Sequence, residues 1–355
     1  MPQRLSPAAP RPRRDFDFDS FSLIAQGHSA FQLMWAGVSL GVFDLLHRRP
    51  RLPLPKIAAA LGLAAQPARV LVVGLTALGI LIKKGPRFSN APLADRILVS
   101  TAPRSAVPIL GWQAHIVYPG LTDFVASLKK NTNIGLARFP GPGKTLYERL
   151  TAHPALEKVF ETAMSGLSRQ ANKDLIGAID FSHTRHLVDA GGGDGTNAIA
   201  IARAHPRLRL TVFESPSVCR MVRRNAAAAG LAGRVSAWPG DLFKTPFPPG
   251  TDAVLFAHIF SIWSPEKGIR LLKRAHAALP SGGEVLVFNT MALGEETDCL
   301  LTALGSPYFQ AIATGQGMVY PRTDYAAWLK TAGFSLRGRV IPLPFEHGVL
   351  VGRKI

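Results

Sequence analysis

Leu187-Val188-Asp189-Ala190-Gly191-Gly192-Gly193-Asp194-Gly195 decides the fold, because a short apolar strand runs directly into a glycine loop. Glycines at 191, 193 and 195 let the backbone turn tightly and come close to a ligand, with positive φ free of steric cost. A dinucleotide fingerprint needs its third glycine at 196, where this chain has Thr196. Downstream, Asn197 to His205 reads as a helix. A second strand, Leu208 to Phe213, ends at Glu214. Arg234 to Ala237 forms a third strand before Gly240-Asp241-Leu242-Phe243, and Asp252 to Phe256 a fourth. A helix from Ser264 or Pro265 to Leu279, a turn at Pro280-Ser281-Gly282-Gly283 and a fifth strand, Glu284 to Asn289, complete the series. Strand and helix alternate at the period of an α/β, doubly wound parallel sheet.

The carboxylates fall at the strand ends, where such a sheet binds ligands. Glu214 is placed to accept both ribose hydroxyls of a nucleoside. Asp241 is placed to take an adenine amino group, with Leu242 and Phe243 covering the ring. Alternate glycines after Asp189 fit S-adenosylmethionine, with Asp189, Gly191 and Gly193 at its methionine end.

These residues, with Leu279-Pro280-Ser281-Gly282-Gly283, resemble the class I S-adenosylmethionine-dependent methyltransferases, and more narrowly the plant caffeate and bacterial small-molecule O-methyltransferase family, which includes hydroxyindole enzymes. The resemblance spans about residues 20 to 352. Leu146 to Leu150 with Phe160 to Met164 is similar to the family's helix entering the cofactor site, and Thr331-Ala332-Gly333-Phe334 to its penultimate helix end. It implies a Rossmann-like domain at 181–355, connecting helices at 101–180 that close over the acceptor, and a winged-helix-like dimerisation domain at 20–100, preceded by a basic flexible tail at 1–19. It also gives Ser168 a polar contact with the cofactor.

The N-terminal third has its own pattern. Phe31, Leu33, Met34, Leu40, Phe43, Leu45 and Leu46 follow helical periodicity, Ile57 to Leu63 closes at Gly62, and Pro67 to Leu78 forms a third helix. Ile80 to Ser89 suits a hairpin wing. A DNA-reading winged helix carries basic side chains on its recognition helix. Here Arg69 is the only charge in the third helix, which favours a homodimer.

The 355 residues carry a net charge of +18, which raises the possibility of a nucleic-acid partner. The basic residues are scattered, with no aromatic-interleaved stripe for stacking bases, so a small-molecule acceptor is favoured. The longest apolar run, Val70 to Ile82, has 13 residues, short of the roughly 20 that span a bilayer. It is expected to be a buried helix or two packed turns. Residues 1–14 lack the apolar stretch of a signal peptide, and two cysteines form no disulfide framework, so a reducing cytoplasm is expected.

For the acceptor, Trp112, His115 and Tyr118 precede the loop Asn131 to Lys144, and Phe160 and Met164 follow it. Tyr308 and Phe309 lie in a segment that the family places on a pocket-lining helix. Trp263 and His347 complete the candidates. Family members carry His-Asp-Trp after the fourth strand, the imidazole taking the acceptor's proton; the matching residues here are Ser261-Ile262-Trp263. The acids that orient that histidine match Asn289 and Pro321, and an accompanying lysine matches Ala257. A serine hydroxyl without an activating partner is not a base near neutral pH. Ser261 and His258 are therefore the catalytic candidates, and an S-, C- or pre-ionised O-acceptor stays open. No metal site is expected, since His258 and His347 have no clear third ligand. The alternatives are an enzyme of this fold that binds the cofactor without transferring methyl, and a nucleic-acid binder.

Overall fold

A computed structural model describes residues 16–344 and 346–355. The chain divides into two compact units, with the boundary between His115 and Ile116. Of the expected basic tail, residues 1–15 lie outside the described residues. Phe18 and Asp19 already belong to a helix, Phe18–Ala25, whose start is capped by Asp17 Oδ1 accepting from the Ser20 N–H at 2.8 Å.

In the smaller unit the helices Gly27–Ser39, Val42–Arg48, Leu54–Leu61 and Ala65–Ala77 enclose Phe43, Leu46, Ile57, Val72 and Leu75. The strands are β1 (Leu52–Pro53), β2 (Leu81–Lys84) and β3 (Arg87–Asn90), ordered β1-β3-β2. Helices followed by a hairpin wing match the expected winged helix. The apolar run 70–82 is divided between the helix Ala65–Ala77 and β2 instead of forming one buried element. Val70 and Val73 are exposed while Leu71, Val72 and Leu75 are buried, as the 3.6-residue period of a one-sided helix requires. The helix Phe18–Ala25 buries no residue, and its Phe18 and Ile24 are 78% and 72% exposed.

The larger unit is built on one sheet. Its strands are β4 (His186–Ala190), β5 (Arg209–Glu214), β6 (Val235–Pro239), β7 (Ala253–Ala257), β8 (Glu284–Thr290), β9 (Phe334–Leu336), β10 (Ile341–Leu343) and β11 (His347–Lys354). The order is β10-β11-β8-β7-β4-β5-β6, with β9 also paired to β11. The run from β6 to β8 is parallel, and β11 pairs antiparallel with β8, Val349 opposite Phe288. Both faces are covered, so β4 and β7 are buried along their whole length. Side chains alternate between two cores. Val188 and Ala190 join Phe256, Leu271, Val285, Tyr325 and Trp328 on one face; Leu187 joins Leu210, Val212, Ile201, Leu255 and Phe288 on the other.

The chain leaves β4 toward β5 and β6 on one side and returns through β7 on the other. That reversal opens a crevice at the carboxyl ends of β4 and β7, where ligands bind in such sheets. The glycine loop follows β4 at this point and ends in the helix Thr196–Ala204. A long helix, Pro154–Ala178, supplies a further wall. The loop 131–144 contains a 3₁₀ turn, Ile134–Arg138, that its sequence does not announce.

Candidate functional site

The glycine loop is bound from several sides. The Gly191 N–H donates to the Phe213 carbonyl at 2.8 Å, tying the loop to β5. Gly191 has φ +74°, and a Cβ there would lie 2.4 Å from Ile259 Cδ1, so the loops after β4 and β7 touch only because this residue is glycine. Asp194 Oδ2 accepts from Ser165 Oγ at 2.7 Å, joining the loop to the helix Pro154–Ala178. Its Oδ1 accepts from Thr196 N and Oγ1 at 3.1 and 2.7 Å, and its carbonyl from Asn225 Nδ2 at 3.0 Å.

Around this loop stand carboxylates that have no ion-pair partner among the described residues. Asp189 is fully buried, and neither of its oxygens has a hydrogen-bond partner among the described residues. Burial first, then the charges of Glu214 and Asp194, push it up to about 7. Glu214, at the end of β5, is raised by burial although its Oε2 accepts from the Ser215 N–H at 2.6 Å. Glu161, on the long helix, is pushed up to about 7 by burial and by Asp194, Glu214 and Glu157. Carboxyls buried without a cationic partner are costly, and a ligand carrying positive charge relieves the cost.

The third unit places Asp241 beyond β6. Asp241 is exposed; its Oδ1 accepts from the Phe243 N–H at 2.8 Å, turning the chain so that Leu242 and Phe243 pack onto the core. Arg274 holds this segment from behind, donating to the Leu242 and Thr245 carbonyls at 2.9 and 2.6 Å. Phe243 meets Trp263 edge-on at 5.2 Å, and Lys267 lies 4.5 Å from the Trp263 ring centroid.

Ser261 lies in a 3₁₀ turn, Phe260–Ile262, and is buried. The turn is fixed through its backbone. Thr314 Oγ1 donates to the Ile262 carbonyl, Tyr320 OH to the Trp263 carbonyl at 3.0 Å, and Gly317 packs directly on the Ser261 carbonyl. His258, just after β7, adopts φ +59°, uncommon for a residue with a side chain. Its ring meets Phe288 and His347 edge-on at 4.9 and 5.1 Å, and its Nε2 is buried without a partner. Burial, reinforced by His347, lowers it to about 3, leaving a neutral imidazole that is a weak proton acceptor. Asn289 donates to Tyr325 OH at 3.0 Å, deep in the core.

The remaining candidates are more dispersed. Trp112 and His115 belong to the smaller unit, where His115 meets Trp35 at 5.4 Å, whereas Tyr118 belongs to the larger. Phe160 packs edge-on against Tyr147 at 5.7 Å. Tyr147 is pushed up to about 12 by burial and is hydrogen-bonded to Tyr308. Tyr308 ends the helix Leu300–Tyr308, and Phe309 opens the π-helical turn Phe309–Ala313. His347 starts β11 instead of lying within the turn. Met164 and Ser168 are half-buried on the long helix. Sequence reasoning passed over Ser165, Asp194 and Glu161. Asp194, set among glycines, carried a local signal; Ser165 and Glu161 carried none beyond their helical spacing from Ser168.

The comparisons agree with this geometry. Residues 118–335 match the O-methyltransferase domain and residues 23–100 the O-methyltransferase dimerisation domain. An L-tyrosine C(3)-methyltransferase of Streptomyces lavendulae is 36% identical over 97% of this chain and 95% of its own. A 3-hydroxy-5-methyl-1-naphthoate 3-O-methyltransferase of Streptomyces sahachiroi is 29% identical over 93% and 94%. The crystal structure of the S-adenosylmethionine-dependent methyltransferase SibL, in its apo form, superposes with TM-score 0.81 at 36% identity, covering 95% of this chain and 99% of that one.

Proposed function

The chain belongs to the O-methyltransferase family and uses S-adenosylmethionine, and we propose that it methylates a ring carbon of a small phenolic amino acid. The observation that carries this reading is Ser261. The position that the family resemblance gives to a histidine base holds a buried serine, and the imidazole three residues before it, His258, is neutral. A hydroxyl that must lose its proton as it attacks is poorly served by such a site. A ring carbon made electron-rich by a neighbouring hydroxyl needs less help. The S. lavendulae relative, named for carbon methylation of tyrosine, supports this choice over an oxygen acceptor.

The residues present fit the cofactor. The unpartnered oxygens of Asp189 and the glycine cradle at 191 and 193 suit its charged methionine end, Glu214 the ribose hydroxyls, and Asp241 with Leu242 and Phe243 the adenine. Ser168, half-buried on the long helix, takes the polar contact assigned by resemblance. When bound, S-adenosylmethionine supplies a methyl group already activated on a sulfonium. The chain's part is to hold the acceptor in line and exclude water, with Phe160, Met164, Trp263, Tyr308 and Phe309 as apolar walls and His258, His347 and Tyr118 as further candidates of the same unit. Near-attack placement alone supplies a large part of a displacement barrier, about 7 to 11 kcal/mol in well-oriented systems.

The active species in this reading is a homodimer in the cytoplasm, consistent with the dimerisation domain and the uncovered apolar helix Phe18–Ala25, and nucleic acid has no part in it. Incubation with S-adenosylmethionine and a panel of L-tyrosine, its ring-substituted analogues and simple naphthols tests the proposal by release of S-adenosylhomocysteine. Turnover confined to the naphthols would overturn the amino-acid assignment.

A further inference from the structure

We infer that Glu161 is a specificity determinant of the cofactor site: a counter-charge that favours the positively charged methyl donor over the neutral thioether left after transfer. Glu161 lies on the helix Pro154–Ala178, four residues before Ser165. That spacing is close to one helical turn, so the two share a face. Ser165 Oγ reaches Asp194 Oδ2 at 2.7 Å, which fixes that face against the glycine loop. Glu161 itself makes no hydrogen bond or ion pair among the described residues. The charges acting on it are Asp194 from the loop, Glu214 from the end of β5 and Glu157 from its own helix, all acidic. Among the described residues no cation pairs with this group.

Donor and product share adenine, ribose and the amino-acid end, so residues bound to those parts hold both alike. They differ in the methyl group and in the sulfonium charge it confers, and a group that senses charge near the sulfur discriminates between them. Asp189 lies beneath the loop, where a Cβ on Gly192 would lie 2.4 Å from its Oδ2, and its assigned contact is with the amino-acid end that donor and product share. Glu161 lies on the helix that also carries Phe160 and Met164 and whose Ser165 meets the glycine loop. In the ligand-free protein burial and its acidic neighbours push it up to about 7. Donor binding therefore favours its ionised form and releases a proton below that pH. Loss of the sulfonium charge on transfer removes the stabilisation and weakens the hold on product. The inference concerns the donor alone and is independent of the acceptor.

Calorimetric titration with S-adenosylmethionine and S-adenosylhomocysteine, at pH 6 and pH 8, tests it on the wild type, Glu161→Gln and Glu161→Asp. In the wild type, the preference for donor over product should grow about five- to ten-fold from pH 6 to pH 8, the size expected of one group released near pH 7. Glu161→Gln should weaken donor binding about ten-fold at pH 8, the scale of one partly screened charge pair, and abolish the pH dependence of the preference. Product affinity should change less than about two-fold. Glu161→Asp should recover part of the preference. An unchanged donor-to-product ratio in Glu161→Gln, or an equal loss of both affinities, overturns the assignment. Retained product binding also shows that the variant is folded.

Discussion

Replacing Asp189 by Asn exchanges a charge for an isosteric amide at the most buried carboxylate of the site, and should stabilise the ligand-free protein as pH rises. The Asp189 carboxyl moves from its ordinary 3.8 to about 7, chiefly through burial. Between those values the native state holds a proton that the unfolded state has lost, so wild-type stability falls as pH rises through this window and levels off above 7. At about 1.4 kcal/mol per unit the full penalty is about 4 kcal/mol, of which roughly 2.5 kcal/mol accumulates between pH 5 and pH 8. The amide also lacks partners and costs about 1 to 3 kcal/mol, but by the same amount at every pH. Urea unfolding of both proteins at pH 5 and pH 8, followed by circular dichroism, should show the Asn variant gaining roughly 2.5 kcal/mol on the wild type between the two conditions. Taking the difference cancels His258, whose lowered value acts in the opposite sense: its neutral burial costs stability as pH falls below about 6.5. A pH-independent difference between the proteins would refute the reasoning, because Asp189 would then ionise normally in the folded state. The same variant should bind S-adenosylmethionine more weakly, trading function for stability.

Further outcomes follow from the same geometry. Gly191→Ala places a Cβ at φ +74° against Ile259 and should cost about 1 to 3 kcal/mol, seen as a lowered melting temperature together with weakened cofactor binding. Ser165→Ala removes a hydrogen bond to the Asp194 carboxylate and should weaken S-adenosylmethionine binding about ten-fold, with the melting temperature little changed; calorimetry checks both affinity and fold. Ser261→Ala should leave kcat within about three-fold, since the hydroxyl is not the proton acceptor, whereas a loss on the order of a hundred-fold or more would make it one. Glu346 accepts from Thr302 N and Oγ1 at 2.7 and 2.6 Å and so holds the start of the helix that ends at Tyr308. Glu346→Ala should raise the acceptor KM several-fold and leave cofactor affinity unchanged, as steady-state kinetics and calorimetry would show.

The parts of this molecule that were legible in the sequence are those whose signal is local. Leu187 and Val188 read as a strand because they form a short apolar run within the buried β4 that leads straight into the glycine turn, and Gly191, Gly193 and Gly195 mark that turn because each has positive φ. Glu214 was legible as the end of β5, the position of Asp241 as two residues beyond β6, and Gly62 as a left-handed cap. Long-range geometry was not. Ser165 meets Asp194 across 29 residues and Glu346 meets Thr302 across 44, with no local pattern linking either pair. Nor does sequence show that His258 is confined between Phe288 and His347, because its neutrality arises from three separate strand ends. Insertion of β11 between β8 and β10 is likewise a choice of the folded sheet, which no short-range periodicity encodes.

The decisive measurement is the position of the transferred methyl group. L-tyrosine incubated with the enzyme and S-adenosylmethionine carrying a ¹³C-labelled methyl should yield, by two-dimensional NMR, a label bonded to the ring carbon beside the hydroxyl. A label on the phenolic oxygen would contradict the account, because a site with Ser261 in place of the base and a neutral His258 would then be supporting deprotonation of the hydroxyl it attacks with.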